Sequence, residues 1–130
     1  MIVYKDSADG LTPQQLKGFF EGWAKPLSPE THLSVLRRSS HIVLAIDDTT
    51  DSVVGFITAI SDGVLSAYVP LLEVLAEHRG KGIGQALVRR MLAILGDIYM
   101  VDLTCDPELV SFYEKLGFKK GCAMMIRDRS

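Results

Sequence analysis

The chain has only two cysteines in 130 residues, Cys105 and Cys122, too few and too isolated for a disulfide framework or a zinc site. Both read as reduced, partly buried thiols. No apolar run approaches the roughly 18 residues needed to cross a bilayer, and residues 1–6 show neither the basic start nor the apolar run of a signal peptide. A cytoplasmic protein with no membrane partner is expected. Basic residues are not in excess: 14 Lys and Arg against 16 Asp and Glu give a net charge of −2, without the basic stripe that nucleic acid requires. Repeats, low-complexity tracts and linkers are missing too. What remains is one domain over residues 1–130, whose hydrophobic content of 48% is ample for a core.

The most informative stretch that is present covers residues 72–87, where a β-forming run passes through a glycine-rich turn directly into a helix. The first amides of a helix lack intrahelical partners, and the helix dipole places positive charge where they point, so this turn is an anion site. Gly80, Gly82 and Gly84 allow close backbone approach, and Arg79 and Lys81 add full charges beside the amides. A pyrophosphate fits. A dinucleotide fingerprint starting at Gly80 and Gly82 needs its third glycine where Gln85 stands, and no Gly-Lys-Ser or Gly-Lys-Thr of a phosphate-binding P-loop occurs. Asp102 lies roughly where a ribose-binding acid would, but the repeated strand-helix-strand units of a Rossmann sheet are lacking upstream. The surviving pattern is Arg79-x-x-Gly82-x-Gly84.

A second motif follows: residues 106–118 contain Phe112-Tyr113-x-x-x-Gly117-Phe118. The first pattern resembles the acyl-CoA pyrophosphate loop of the GNAT superfamily of N-acetyltransferases. Leu72-Glu73-Val74 resembles the strand that holds the pantetheine arm, and the second motif resembles the family's late helix. Order and spacing agree. The resemblance implies acetyl-CoA as co-substrate, held by Leu72, Val74, Arg79, Gly80, Lys81, Gly82, Ile83, Gly84 and Tyr113. It also implies a primary amine on a small molecule, peptide or protein as acceptor, and a homodimer. Residues 1–65 carry 5 basic and 8 acidic side chains, a balance that suits a cationic acceptor or is simply a solvated surface.

Periodicity fills in the elements. A strand is predicted over residues 2–5. A helix follows from Thr12 to Pro26, opened by Thr12-Pro13-Gln14-Gln15 and burying Leu16, Phe19, Phe20 and Trp23. A short helix over 28–38 comes next, then strands over 41–47 and 52–62 joined by a turn at 48–51. The strand over 64–75 contains Pro70, which cannot donate to a ladder, so a bulge is expected there. The main helix runs from Ile83 to Gly96 with Ile83, Leu87, Met91 and Ile94 buried. A strand over 98–105, a helix from Pro107 to Gly117 and a strand over 118–126 complete the order β-α-α-β-β-β-α-β-α-β. That order is an α/β fold whose mixed, mainly antiparallel central sheet is flanked by helices, as in the GNAT superfamily.

The chemistry implied by the resemblance is direct attack of a neutral amine on an acetyl thioester, through a tetrahedral oxyanion. Tyr113 matches the family's tyrosine and is the candidate acid for the departing thiolate, although Leu109, Phe112, Tyr113 and Leu116 also form an apolar stripe in which it packs. The main-chain amide of Val74 is the implied oxyanion donor. Glu73 is the first candidate for the base, with Tyr68, Glu77, His41 and His78 as alternatives. Many relatives carry Asn and Ala where this chain has Asp106 and Leu109, so Asp106 reads mainly as a helix N-cap. A covalent route through Cys105 is disfavoured by the adjacent aspartate and the lack of an assigned base. The competing function is a non-catalytic acyl-CoA-binding regulatory module, which thioester consumption separates from the enzyme.

Overall fold

The computed structural model describes residues 1–127. Five strands lie side by side in chain order: β1 (Ile2–Lys5), β2 (His41–Asp47), β3 (Ser52–Ser61), β4 (Ser66–Val74) and β5 (Met100–Asp102). The first four pair antiparallel, and β5 joins β4 in parallel after the crossover helix α2 (Ile83–Leu95). Side chains alternate across β2: Val43 and Ala45 pack under α2, whereas Ile42, Leu44 and Ile46 face α1 (Pro29–Arg38) and the N-terminal segment. Both faces of the sheet are therefore covered, which is why β2 and β3 read as nearly continuous apolar runs. Helix α2 sits especially close. A Cβ on Gly55 of β3 would lie 3.2 Å from Ile83 Cγ2 and 3.2 Å from Leu87 Cδ1.

The expected bulge at Pro70 is present and shapes the cleft. Thr58 pairs with Leu71 and Ile60 with Tyr68, so Val69 and Pro70 together stand against Ala59. Strand β5 pairs only with residues 66–68 of β4, and the two strands part beyond the bulge. Two polar side chains bridge the start of the gap, Tyr68 Oη lying 3.0 Å from Thr104 Oγ1. The strand expected over 98–105 is thus shortened to Met100–Asp102, because splaying removes its partner.

The helix expected from Thr12 to Pro26 is a single 3-10 turn, Pro13–Leu16. Its predicted start is real: the Thr12 amide donates to Gln15 Oε1 at 2.9 Å. The continuation fails because Gly18, Phe20 and Gly22 adopt left-handed backbone, with φ of 95°, 67° and 85°. Leu16, Phe19 and Phe20 are nevertheless buried, whereas Trp23 is 48% exposed. In α2 the buried stripe is Ile83, Leu87, Val88, Met91 and Leu95, and Ile94 lies 38% exposed on its margin. Pro107–Leu109 forms a 3-10 turn leading into α3 (Val110–Glu114), and the amide of Phe118 bonds Tyr113 O to close it past Gly117. The strand expected over 118–126 does not form, since β5 offers only three ladder residues and its outer edge pairs with no described strand. Met124, Met125 and Ile126 are exposed there. Both cysteines are free and exposed rather than partly buried, for Cys105 follows the shortened β5 and Cys122 lies on that unpaired segment.

Candidate active site

A cavity of about 680 Å³ lies among the end of β4, the start of α2 and α3, and its walls include Leu72, Glu73, Val74, Arg79, Gly80 and Gly82, together with Ile83, Gly84 and Tyr113. Glu73, Tyr113 and the anticipated cofactor-binding residues meet there except Lys81, which is exposed outside it. Gly80 and Gly82 have φ of 78° and 81°, so the turn depends on residues without a Cβ. Gly82 caps α2, and the first amide to bond back along the helix is that of Ala86, to Gly82 O at 3.1 Å. The amides of Ile83, Gly84 and Gln85 are therefore left for an anion. A Cβ on Gly84 would lie 3.4 Å from Phe112 Cζ, so this glycine brings the helix start against α3 and the cavity floor.

Val74 contributes backbone. The Leu75 amide bonds Val54 O at 2.8 Å, and bonded and non-bonded pairs alternate along an antiparallel ladder, so Val74 opposite Gly55 turns its N–H and C=O away from β3. Its carbonyl accepts from Arg79 Nε at 2.9 Å, which folds the arginine over the end of β4. The residues fit a pyrophosphate-bearing thioester ligand: free helix amides for the phosphates, an apolar slot for the arm, and an outward strand amide for the carbonyl.

A second cavity of about 540 Å³ adjoins the first. Leu72, Glu73, Arg79, Leu109 and Tyr113 line both, so these side chains stand at the junction. Tyr113 is buried, and burial, followed by the charge of nearby Cys105, pushes its phenol up to about 12. Glu73 is half-buried, with the Phe20 amide donating to both carboxylate oxygens at 3.2 Å. Burial raises its pKa most strongly; the Phe20 hydrogen bonds and Arg79 oppose that rise, and Glu21 adds to it. Of the other possible bases, His78 lines the first cavity, His41 lines a separate cavity of about 430 Å³, and Tyr68 and Glu77 line neither half of the cleft. Asp106 makes no side-chain capping bond; it faces the second cavity instead.

Of this second wall, the sequence offered the stripe containing Trp23 as an acceptor-pocket lining, second to core packing, and missed Glu21, Met125 and Arg127. Glu21 and Trp23 reach it from the irregular loop after the 3-10 turn, and Met125 and Arg127 from the C-terminal segment. Both segments were read as regular elements, a helix and a strand, and the irregular backbone that brings these side chains to the cavity has no local mark in the sequence. In the first cavity, Gln85 and Phe112 lie within the two recognised motifs and were within reach of it.

Comparison with known proteins identifies the family and the fold. The family profile of the acetyltransferase (GNAT) domain matches residues 38–120, and the chain belongs to that family. A crystal structure from Deinococcus radiodurans R1 assigned to the acetyltransferases superimposes with a TM-score of 0.94 at 50% identity, covering 97% of this chain and 87% of that one. Among curated relatives, serotonin N-acetyltransferase 2 of Oryza sativa subsp. japonica is 31% identical over 122 residues, 90% of this chain and 61% of that protein. Glucosamine 6-phosphate N-acetyltransferase of Candida albicans is 39% identical over 57 residues, 42% of this chain and 38% of that protein. The chain spans 59% of the length of the N-acetyltransferase ycf52 of Pyropia yezoensis, to which it is 29% identical.

Proposed function

We propose that residues 1–130 act as one N-acetyltransferase domain that moves the acetyl group of acetyl-CoA to a primary amine by direct attack within a ternary complex. The observation that carries this reading is the meeting of two cavities, one walled by free helix amides and one by side chains, at Glu73, Leu72 and Tyr113. Acetyl-CoA supplies an activated thioester. Arg79, Gly80, Gly82, Ile83 and Gly84 hold its pyrophosphate, while Leu72 and Val74 align the arm, and the outward Val74 amide receives the charge that develops on the carbonyl oxygen. Lys81 contributes long-range attraction only.

Glu73 takes the proton that the ammonium must lose, since its raised pKa lies closer to neutrality than that of an exposed carboxylate. The amine nitrogen then bonds to the carbonyl carbon to give a tetrahedral oxyanion, and as this collapses the carbon–sulfur bond breaks, the electron pair leaves on sulfur and the nitrogen gives its second proton to solvent. Tyr113 keeps its proton at neutral pH and donates a hydrogen bond to that sulfur. Full transfer from a phenol at about 12 to a thiolate whose acid is near 8.5 would be uphill by about 5 kcal/mol, so solvent completes it.

The two free, exposed thiols suit a reducing compartment such as the cytoplasm. No helix among the described residues is long and apolar enough to cross a membrane. A homodimer is supported by the apolar residues 124–126, exposed beyond the open outer edge of β5, and sedimentation of the full chain against the same chain cut after Gly121 tests it. For the activity, release of free thiol from acetyl-CoA is followed with a panel of amines, with product mass measured. Amine-dependent release with an N-acetyl product is expected. Tight acetyl-CoA binding without release from any amine would establish the regulatory module instead.

A further inference from the structure

The loop over residues 17–27 carries a strained non-glycine residue beside the cleft. Phe20 has φ of 67°, a conformation that costs a bulky side chain about 1–3 kcal/mol and persists only where surroundings over-determine it. Here they do so from two sides. Its ring is 1% exposed and meets Trp23 and His32 at 4.9 Å each, while its amide donates to both oxygens of Glu73 at 3.2 Å. Glycines with left-handed backbone at 18 and 22 flank it. The outcome is a tight excursion that delivers Glu21 and Trp23, two residues that the fold itself does not bury, to the wall of the second cavity.

That wall has a definite chemistry. Trp23 faces it with Pro70, Leu71 and Met125, so one side is flat and apolar. The carboxylates of Glu21 and Glu73 both line this wall, and Glu21 adds to the rise of the Glu73 pKa, so negative charge is concentrated here. Three carboxylates, those of Glu21, Glu73 and Asp106, line this cavity against two guanidinium groups, Arg79 and Arg127, a balance among the described residues that favours an ammonium over a phosphate.

Resting on the acetyltransferase reading above, we propose that the 17–27 loop is the acceptor-selecting element of this site. Its Trp23 selects primary amines with a flat apolar body over compact or phosphorylated ones. Glu73 is both the proton acceptor and the latch of this loop through the Phe20 amide, so the group that meets the ammonium also holds the wall that recognises the rest of the acceptor.

The test compares 2-phenylethylamine with n-propylamine and glucosamine 6-phosphate, using the full chain and acetyl-CoA. Wild type is expected to show the highest kcat/KM with 2-phenylethylamine. Trp23→Ala should lower the ratio of kcat/KM for 2-phenylethylamine over n-propylamine by about tenfold, chiefly through KM, the size expected for an aromatic face lost from a binding wall. Trp23→Phe should restore most of that ratio, which a purely structural role would not require. Trp23 is the only tryptophan, so its fluorescence reports the loop directly. Binding of 2-phenylethylamine with CoA should shift wild-type emission, and Glu73→Gln should shift emission of the free protein toward that of exposed tryptophan. An unchanged amine ratio in Trp23→Ala, or a preference for the phosphorylated amine, overturns the proposal while leaving the acetyltransferase reading intact. No thiol release with any amine, with acetyl-CoA shown to bind, overturns both.

Discussion

On the α2 side of the cleft the groups offered to a ligand are mostly backbone: the amides of Ile83, Gly84 and Gln85, the left-handed Gly80 and Gly82, and Val74 turned outward by strand register. On the opposite side they are side chains of irregular segments, Glu21 and Trp23 on one loop and Met125 and Arg127 on another. The first wall is fixed by a helix whose residues Ile83 and Leu87 press within 3.2 Å of where a Gly55 Cβ would stand. The second hangs on the Phe20 contacts with Glu73 and with the aromatic cluster beneath it. A wall made of backbone suits what all its ligands would share, on the proposed reading a phosphate and an extended arm. A wall of loop side chains can change its ligand without disturbing the sheet.

Glu73 belongs to both walls, so its replacement has the largest expected effect. Proton transfer by a positioned side chain contributes about 10²–10⁴-fold, and Glu73→Gln should lower kcat/KM for the preferred amine by about 10³-fold with acetyl-CoA affinity little altered. Burial raises this carboxyl, so the wild-type rate should climb with pH through a limb above the ordinary carboxylate range, and that limb should vanish in the Gln variant. A loss below about tenfold would assign proton removal to solvent or to His78.

Acid should separate the walls next. His32 lies 1% exposed among Phe19, Phe20 and Phe56, neither ring nitrogen has a hydrogen-bond partner, and burial lowers its pKa from 6.5 to about 4. Between these values the unfolded chain binds more protons than the folded one, so stability is full above pH 6.5 and falls as pH drops toward 4. The total for this group is about 3 kcal/mol. Denaturant midpoints of wild type against His32→Met should therefore diverge across that window, with the Met variant the more stable throughout because it buries no unpartnered nitrogen. Amide exchange should rise first around Phe20 and last in α2. Parallel pH curves for the two proteins would remove His32 as the cause.

This division also explains what the sequence disclosed. The loop into α2 and the motif around Tyr113 were legible because a glycine forced by φ near 80°, a helix cap and an apolar stripe are local requirements that leave local marks. The bulge at Pro70 was legible for the same reason. The segment over residues 17–27 was misread as a helix because Leu16, Phe19, Phe20 and Trp23 carry a helical period, while the bond that overrides it joins Phe20 to Glu73, 53 residues away. Burial of three of those four side chains was right although their conformation was wrong. The residues 118–126 have the composition of a strand, but strand formation depends on an available edge, which no short pattern encodes.

The backbone wall can be broken at one atom. Gly82 has φ of 81° and nothing within 4 Å of where its Cβ would be, so Gly82→Val should fold with little crowding yet be forced out of the left-handed turn that presents the amides. Acetyl-CoA affinity measured by calorimetry should fall by about 10²-fold, or about 2.7 kcal/mol, with thermal stability changed far less. Gly84→Val acts differently, by pushing on the Phe112 ring 3.4 Å away, and should cost stability as well as affinity. Unchanged affinity in both folded variants would remove the loop as the phosphate site.

The smallest effect sharpens the junction. Tyr113 is 8% exposed with its ring edge-on to Phe112 at 5.0 Å and Phe118 at 5.6 Å, so Tyr113→Phe keeps the packing and removes only the hydroxyl. A phenol held at about 12 is a poor acid toward a thiolate, but it can still stabilise developing charge on sulfur with one hydrogen bond. The expected fall in kcat is therefore about tenfold, at or below the lower end of acid catalysis, with acetyl-CoA affinity and melting temperature close to wild type. The effect should shrink further with a thioester whose thiol is more acidic, since such a leaving group needs the donor less. Single-turnover kinetics with both thioesters measures this directly. A Phe variant that turns over at the wild-type rate in the chemical step would make Tyr113 a packing residue of the α3 stripe, and the leaving thiolate would then depend on solvent alone.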